Sequence, residues 1–214
     1  MIAAMSLLVS SSASAVTHTF NGTSGNDEIT LGRLQKLVGG VWVTEPGYAI
    51  RINTVTTQFT ASSTDFIDVF AGTGDDSITL VNAATGTITY SSTRRLIAWP
   101  SGLQPVLMHG NAGKDHLIGS DHADIIYGGL GNDLIEAHGG NDFVLGYLAA
   151  SFSSDPYCVG LEEAPEEDLD ICDGAAGNDT VYCNRASWGG TGTDECVAGA
   201  SGSMKSDCEI ELCE

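Results

Sequence analysis

A chain of 214 residues with 28 acidic against 8 basic side chains carries a formal charge of −20, which attracts cations and disfavours binding to nucleic acid or an anionic membrane surface. Its 27 Gly and 5 Pro, few aromatics and many Ser and Thr fit strands and turns better than helices, which would want Ala, Leu, Glu and Lys together. No apolar run approaches the ~20 residues of a membrane span.

Residues 1–15, "MIAAMSLLVSSSASA", read as an expected signal peptide. A short apolar run from Ile2 to Val9 leads into small residues and an A-x-A-like site, Ala13-Ser14-Ala15, before Val16. A basic segment ahead of the run is missing, so the true start could lie upstream or the signal be atypical.

Residues 16–109 read as strands and turns. "YAIRINTV" and "FIDVFAG" alternate in part, and "DDSITLV" continues from a glycine turn into a strand. "GRLQKLVGG" (32–40) is expected to be one short helical excursion. The region is expected to form an irregular β-rich cap, solenoid-like or sandwich-like, because the open edge of the strands that follow needs covering.

From Gly110 the chain repeats every nine residues: GNAGKDHLI, GSDHADIIY, GGLGNDLIE, AHGGNDFVL. Column six is Asp in each row (Asp115, Asp124, Asp133, Asp142) and column eight is apolar (Leu117, Ile126, Ile135, Val144). Four further copies begin at Gly22, Ala71, Gly174 and Gly189, with column-six residues Asp27, Asp76, Asp179 and Asp194. Ordinary hairpin turns would account for the glycines but not for one uninterrupted register with a carboxylate two positions before every apolar residue.

The rows resemble G-G-x-G-x-D-x-U-x, the calcium-binding nonapeptide of RTX, or haemolysin-type, proteins. The resemblance implies an all-β fold, a parallel β-roll or β-solenoid in which two nonapeptides make one coil. Asp133 would then stack on Asp115 and Asp142 on Asp124. It also implies Ca²⁺ as the cofactor, held by Asp115, Asp124, Asp133, Asp142, Asp179 and Asp194 together with bends formed by Gly110, Gly113, Gly119, Gly128, Gly131 and Gly140.

The columns make physical sense in that frame. In a three-residue strand the middle side chain points to one face, so column eight supplies an inward stripe. Glycine meets the positive φ of a tight bend at least steric cost and lets backbone carbonyls converge. Carboxylates stacked ~4.8 Å apart repel by roughly 3–4 kcal/mol at an effective dielectric of 20, and a hard dication offsets that. Ca²⁺ tolerates six or more irregular oxygen ligands, whereas Mg²⁺ prefers a small octahedron with retained water.

The register breaks after residues 110–146. Residues 147–173 read as an acidic insertion containing Cys158 and Cys172, a solvated loop with weak cation binding as the sharper alternative. Repeats return in residues 174–214, with Cys196 in the inward column and Cys208 and Cys213 expected to staple the tail. Six cysteines without C-x-x-C pairs, and without a histidine beyond residue 138, favour disulfides over zinc and hence an oxidising, extracellular address; spacing leaves their connectivity open.

H-E-x-x-H, G-x-S-x-G and S-x-x-K are absent, so no catalytic residue is assigned. His109, His116, His122 and His138 lie in or beside the repeat and read as turn and strand-surface residues rather than a transition-metal site. The leading expectation is a secreted, non-enzymatic calcium-binding protein. Two alternatives stay open: a calcium-dependent adhesion module, using Trp42, Trp99 and Trp188 against a surface polysaccharide or protein of unknown identity, and a polysaccharide-active enzyme on a β-solenoid.

Overall fold

The computed structural model describes residues 15–63, 65–98, 105–147, 169–183, 186–198, 204–206 and 210–211; the expected signal peptide up to Ser14, Trp99, Cys158, Cys208 and Cys213 lie outside them. Among the described residues there are strands and turns and no helix. In chain order come β1 (Thr17–Asn21), β2 (Glu28–Val38), β3 (Val41–Thr44), β4 (Tyr48–Ile52), β5 (Val55–Phe59), β6 (Phe66–Thr73) and β7 (Ser77–Leu80). Then follow β8 (Ile88–Ser91), β9 (Arg94–Ile97), β10 (Val106–Ala112), β11 (His116–Ile118), β12 (Ile125–Leu130), β13 (Leu134–Glu136) and β14 (Phe143–Tyr147). The last are β15 (Ile171–Asp173), β16 (Thr180–Cys183), β17 (Ala186–Trp188), β18 (Glu195–Ala198), β19 (Met204–Ser206) and β20 (Ile210–Glu211).

The architecture is all-β, with one parallel sheet and one mixed sheet. β1, β6, β10, β12, β14, β16, β18 and β20 lie side by side in one sheet, each pair parallel. The second runs β19, β17, β15, β13, β11, β7, β2, β4, β5, parallel as far as β2 and antiparallel beyond. Through the tandem rows the chain crosses from one sheet to the other every nine residues. Leu107 therefore pairs with Ile125, Ile125 with Phe143, and His116 with Leu134.

Column eight is the inward stripe. Ile29, Ile78, Leu117, Ile126, Ile135, Val144, Val181 and Cys196 are all buried in a single core cluster with Val69, Met108 and Leu31. Cys172 and Cys183 sit in that core and form a disulfide, Cα atoms 6.1 Å apart, tying β15 to β16 across the two sheets. Cys196 is disulfide-bonded as well. The strand register resumes at Ile171, before Gly174, because Ile171–Asp173 pairs with both β13 and β17.

The helix expected over 32–40 is not formed. These residues lie in β2 and its hairpin with β3, closed by Gly39 and Gly40 at φ 58° and 83° with Val38 opposite Val41. Two consecutive positive-φ glycines match the twist of an antiparallel hairpin, and β9 takes the other edge of the same strand. Pairing on two sides outweighs the modest helix propensity of Leu, Gln and Lys. Leu34, Ala49, Val81 and Leu96 make a small second core beneath these hairpins.

The copies at 22 and 71 stack on the tandem rows, since β2 pairs with β7 and β7 with β11, Ile29 opposite Ile78 and Ile78 opposite Leu117. Covering of the N-terminal end falls to the β4–β5 hairpin. Its Phe59 meets Phe20 of β1 and Tyr48 at ring-centroid distances of 4.9 and 5.8 Å, closing the apolar interior where the parallel strands begin.

Candidate functional site: the aspartate-lined turns

Each column-six aspartate sits where a tight bend enters a strand, and the stacking of coils places these residues in two ladders. In the first, the Asp27 amide donates to Oδ1 of Asp76 at 2.7 Å, Asp76 to Asp115 at 2.8 Å, Asp115 to Asp133 at 2.8 Å and Asp133 to Asp170 at 2.9 Å. In the second, Asp124 donates to Asp142, Asp142 to Asp179 and Asp179 to Asp194, each at 2.8 Å. The expected partners Asp115–Asp133 and Asp124–Asp142 are thus neighbours. All nine carboxylates are buried.

The free oxygen of each rung decides what the turn can do. Oδ2 of Asp76, Asp115, Asp142 and Asp179 is fully buried and accepts no hydrogen bond, a state that costs several kcal/mol for an ionised carboxylate. A Cβ on Gly110 would lie 2.4 Å from Oδ2 of Asp115 and 2.5 Å from the Gly128 carbonyl oxygen. Gly128 stands the same way toward Asp133 and the Gly146 carbonyl, at 2.4 and 2.5 Å, and Gly174 toward Asp179 and the Gly189 carbonyl, at 2.7 and 2.8 Å. At these three positions glycine allows close approach, and a carboxylate and a carbonyl from the next coil converge beside it; column one is Ala at 71 and 137.

Column four is glycine for its backbone. Gly113, Gly131 and Gly140 have φ of 145°, 121° and 133°, and a Cβ on Gly131 would fall 1.7 Å from the Gly113 carbonyl oxygen. Gly119, in column one, is held 2.3 Å, at its would-be Cβ, from the Ala137 carbonyl oxygen.

Burial is the main reason these acids resist ionisation. It pushes Asp115 up to about 7, with the Asp133 and Asp76 charges adding to it, and Asp142 up to about 8, with Asp124 and Asp179 adding. Asp179 rises to about 6 and Asp124 to about 7, burial leading in both. At Asp27 burial also acts upward, but the amide and hydroxyl of Thr23 and the side chain of Asn53 outweigh it and hold the carboxyl below its ordinary value.

A pH dependence follows for protein stripped of divalent ions. In the unfolded chain an aspartate releases its proton near 3.9, whereas in the fold Asp115, Asp142 and Asp179 keep theirs to about 7, 8 and 6. Between those values the folded state binds more protons, so its stability falls as pH rises. The metal-free melting temperature is expected to drop from pH 5 to pH 8 and to flatten above. A metal-free profile that is flat or rising over that interval would contradict these proton affinities.

Other residues complete the turns without having been assigned from sequence. Column five forms a parallel ladder of its own: Oδ1 of Asn26, Asn132, Asn141 and Asn178 accepts the amides of Asp75, Leu169, Asn178 and Thr193 from the next coil, at 2.9–3.1 Å. The recurrence of Asn there was the available clue. Asp170 takes the rung after Asp133 although no glycine-rich stretch precedes it, and its position two residues before the inward Cys172 was its one trace in the sequence.

The histidines do not converge. His109 stacks between Phe70 and Tyr127 at 4.3 and 5.0 Å, and His116 Nε2 meets Glu136 Oε1 at 2.7 Å on the outer face. His138 occupies column two of its turn with φ 73°. Trp42 is half-buried under the Arg95 guanidinium, 4.2 Å from its ring centroid, and Trp188 is also half-buried.

Among the described residues no three His, Cys, Asp or Glu side chains converge on one point. Ligands for an ion in these turns must then include backbone carbonyls. Such a donor set suits Ca²⁺, which takes carboxylate and carbonyl oxygens together, and the unpartnered Oδ2 atoms beside glycine carbonyls fit it.

No curated protein and no solved structure matches the chain. The model of the RTX calcium-binding nonapeptide repeat matches residues 108–146 and 167–182, in four copies. With the nine-residue register, the stacked aspartates and the glycine bends already in place, the chain carries RTX calcium-binding nonapeptide repeats.

Proposed function

We propose that this is an exported calcium-binding protein whose repeat region is a parallel β-roll completed by Ca²⁺. The observation that carries the reading is the row of buried carboxylate oxygens, on Asp76, Asp115, Asp142 and Asp179, that accept no hydrogen bond. Glycine carbonyls of the following coil stand beside the Asp115 and Asp179 oxygens. A bound cation would neutralise the stacked charges and accept the oxygens that the fold leaves without donors. Asp76, Asp115, Asp133, Asp142, Asp179 and Asp194, with carbonyls of the glycine bends, would hold it. Export is supported by the apolar opening of the chain and by the Cys172–Cys183 bridge, which an oxidising compartment sustains.

Extracellular calcium modules bind with dissociation constants of ~10⁻⁴–10⁻³ M. Titration of the metal-free protein with calcium, followed by circular dichroism, should raise both the β signal and the melting temperature in that range, with magnesium less effective. No change in either at 10 mM calcium, a concentration about tenfold above the weaker bound, would sink the proposal.

A further inference from the structure

We infer that Thr23 and Ser120 close the first rung of each ladder without calcium, so that metal enters the first ladder at Asp76 and the second at Asp142. The inference rests on the calcium reading above and divides its turns into two kinds.

The backbone separates them first. Column two has positive φ at Gly72, Asn111, Gly129, His138, Ala175 and Gly190, from 66° to 118°; Thr23 and Ser120 occupy the same column without it. Their amides turn inward instead. Ser120 donates to Oδ2 of Asp124 through its amide at 2.7 Å and its hydroxyl at 2.9 Å. Thr23 does the same to Oδ2 of Asp27, at 2.5 and 2.9 Å. These are the oxygens whose counterparts on Asp76, Asp115, Asp142 and Asp179 accept nothing.

The hydroxyl also fills the bend. With its one proton on the carboxylate, Ser120 Oγ accepts the His122 amide at 3.1 Å, and Thr23 Oγ1 accepts the Gly25 amide at 3.2 Å. Neighbours consume further acceptors, since Asn82 donates to the Gly119 carbonyl at 2.7 Å and Asn53 to Oδ1 of Asp27. Two donors aimed at one carboxylate oxygen present the positive ends of their dipoles to any approaching cation and supply the stabilisation it would bring. The same pattern, arising independently in both ladders, gives each a metal-free first rung from which the calcium-holding rungs continue.

Bound calcium per chain, measured by equilibrium dialysis, and melting with and without calcium test this. Asp142→Asn should lower bound calcium by at least one ion and Asp124→Asn should leave it unchanged. Ser120→Ala should also leave the count unchanged while lowering the melting temperature equally in chelator and in calcium. Loss of an ion in Asp124→Asn or in Ser120→Ala would overturn the inference while leaving the calcium reading intact. Should Asp124→Asn fail to fold, Ser120→Ala decides alone. A wild-type protein that binds no calcium would overturn both.

Discussion

Gly131→Ala is expected to destabilise the protein by about 2–5 kcal/mol, the largest effect of any single substitution proposed for it. Two costs combine. At φ 121° an alanine pays backbone strain of ~1–2 kcal/mol, and its Cβ would sit 1.7 Å from the Gly113 carbonyl oxygen of the preceding coil. Overpacking of that kind adds roughly 1–3 kcal/mol because the obstacle is backbone, which can yield only by separating two coils. Against a total of about 5–15 kcal/mol this is a large fraction, visible as a fall of roughly 10 °C in melting temperature. Gly25→Ala is the control. It lies in the same column of the first copy, lacks a positive φ and has nothing within 4 Å of the added carbon. It should be neutral or stabilising by up to ~1 kcal/mol. Equal effects at the two positions would mean that coil contact at Gly131 is not what demands glycine.

Asp115→Asn should change sign with calcium. The asparagine oxygen can still accept the Asp76 amide, which meets Oδ1 at 2.8 Å, so the ladder bond survives. Without metal at pH 8 the substitution removes a buried charge flanked by Asp133 and Asp76, and the melting temperature should hold or rise. With calcium at a hundredfold excess over its dissociation constant, loss of one site removes about 2.7 kcal/mol and the order reverses. Asp115→Ala also loses the acceptor and should be less stable in both conditions by ~1–3 kcal/mol. Paired melts of the three proteins in chelator and in calcium decide it. A penalty for Asp115→Asn of the same size in both would mean that the carboxylate is structural and holds no ion.

Column eight was legible because burial on one face of a short strand demands an apolar side chain whatever the neighbours, and all eight of those residues lie in the core. The stacking of Asp115 with Asp133 and of Asp124 with Asp142 was legible because an exact nine-residue spacing returns the same column to the same side every second row. Asp170 was not, since the residues that precede it in the sequence are acidic and lack the glycine signature, and stacking on Asp133 is what reveals its place. The strand at 32–40 escaped for a related reason: its local pattern admits a helix, and partners distant in the chain, β3 and β9 among them, decide otherwise.

Nearest-neighbour chemistry, then, is what the amino-acid order determined: which side chains face inward, where the chain must bend, and that a repeating carboxylate needs a counter-ion. Tertiary structure decided which carboxylate oxygens are left without a donor. Asp124 and Asp142 occupy the same column two rows apart, on one side of the stack, yet Ser120 satisfies the first and nothing donates to Oδ2 of the second. Hydrogen bonds have direction, and the direction of the column-two amide depends on a backbone φ that nine letters alone do not specify.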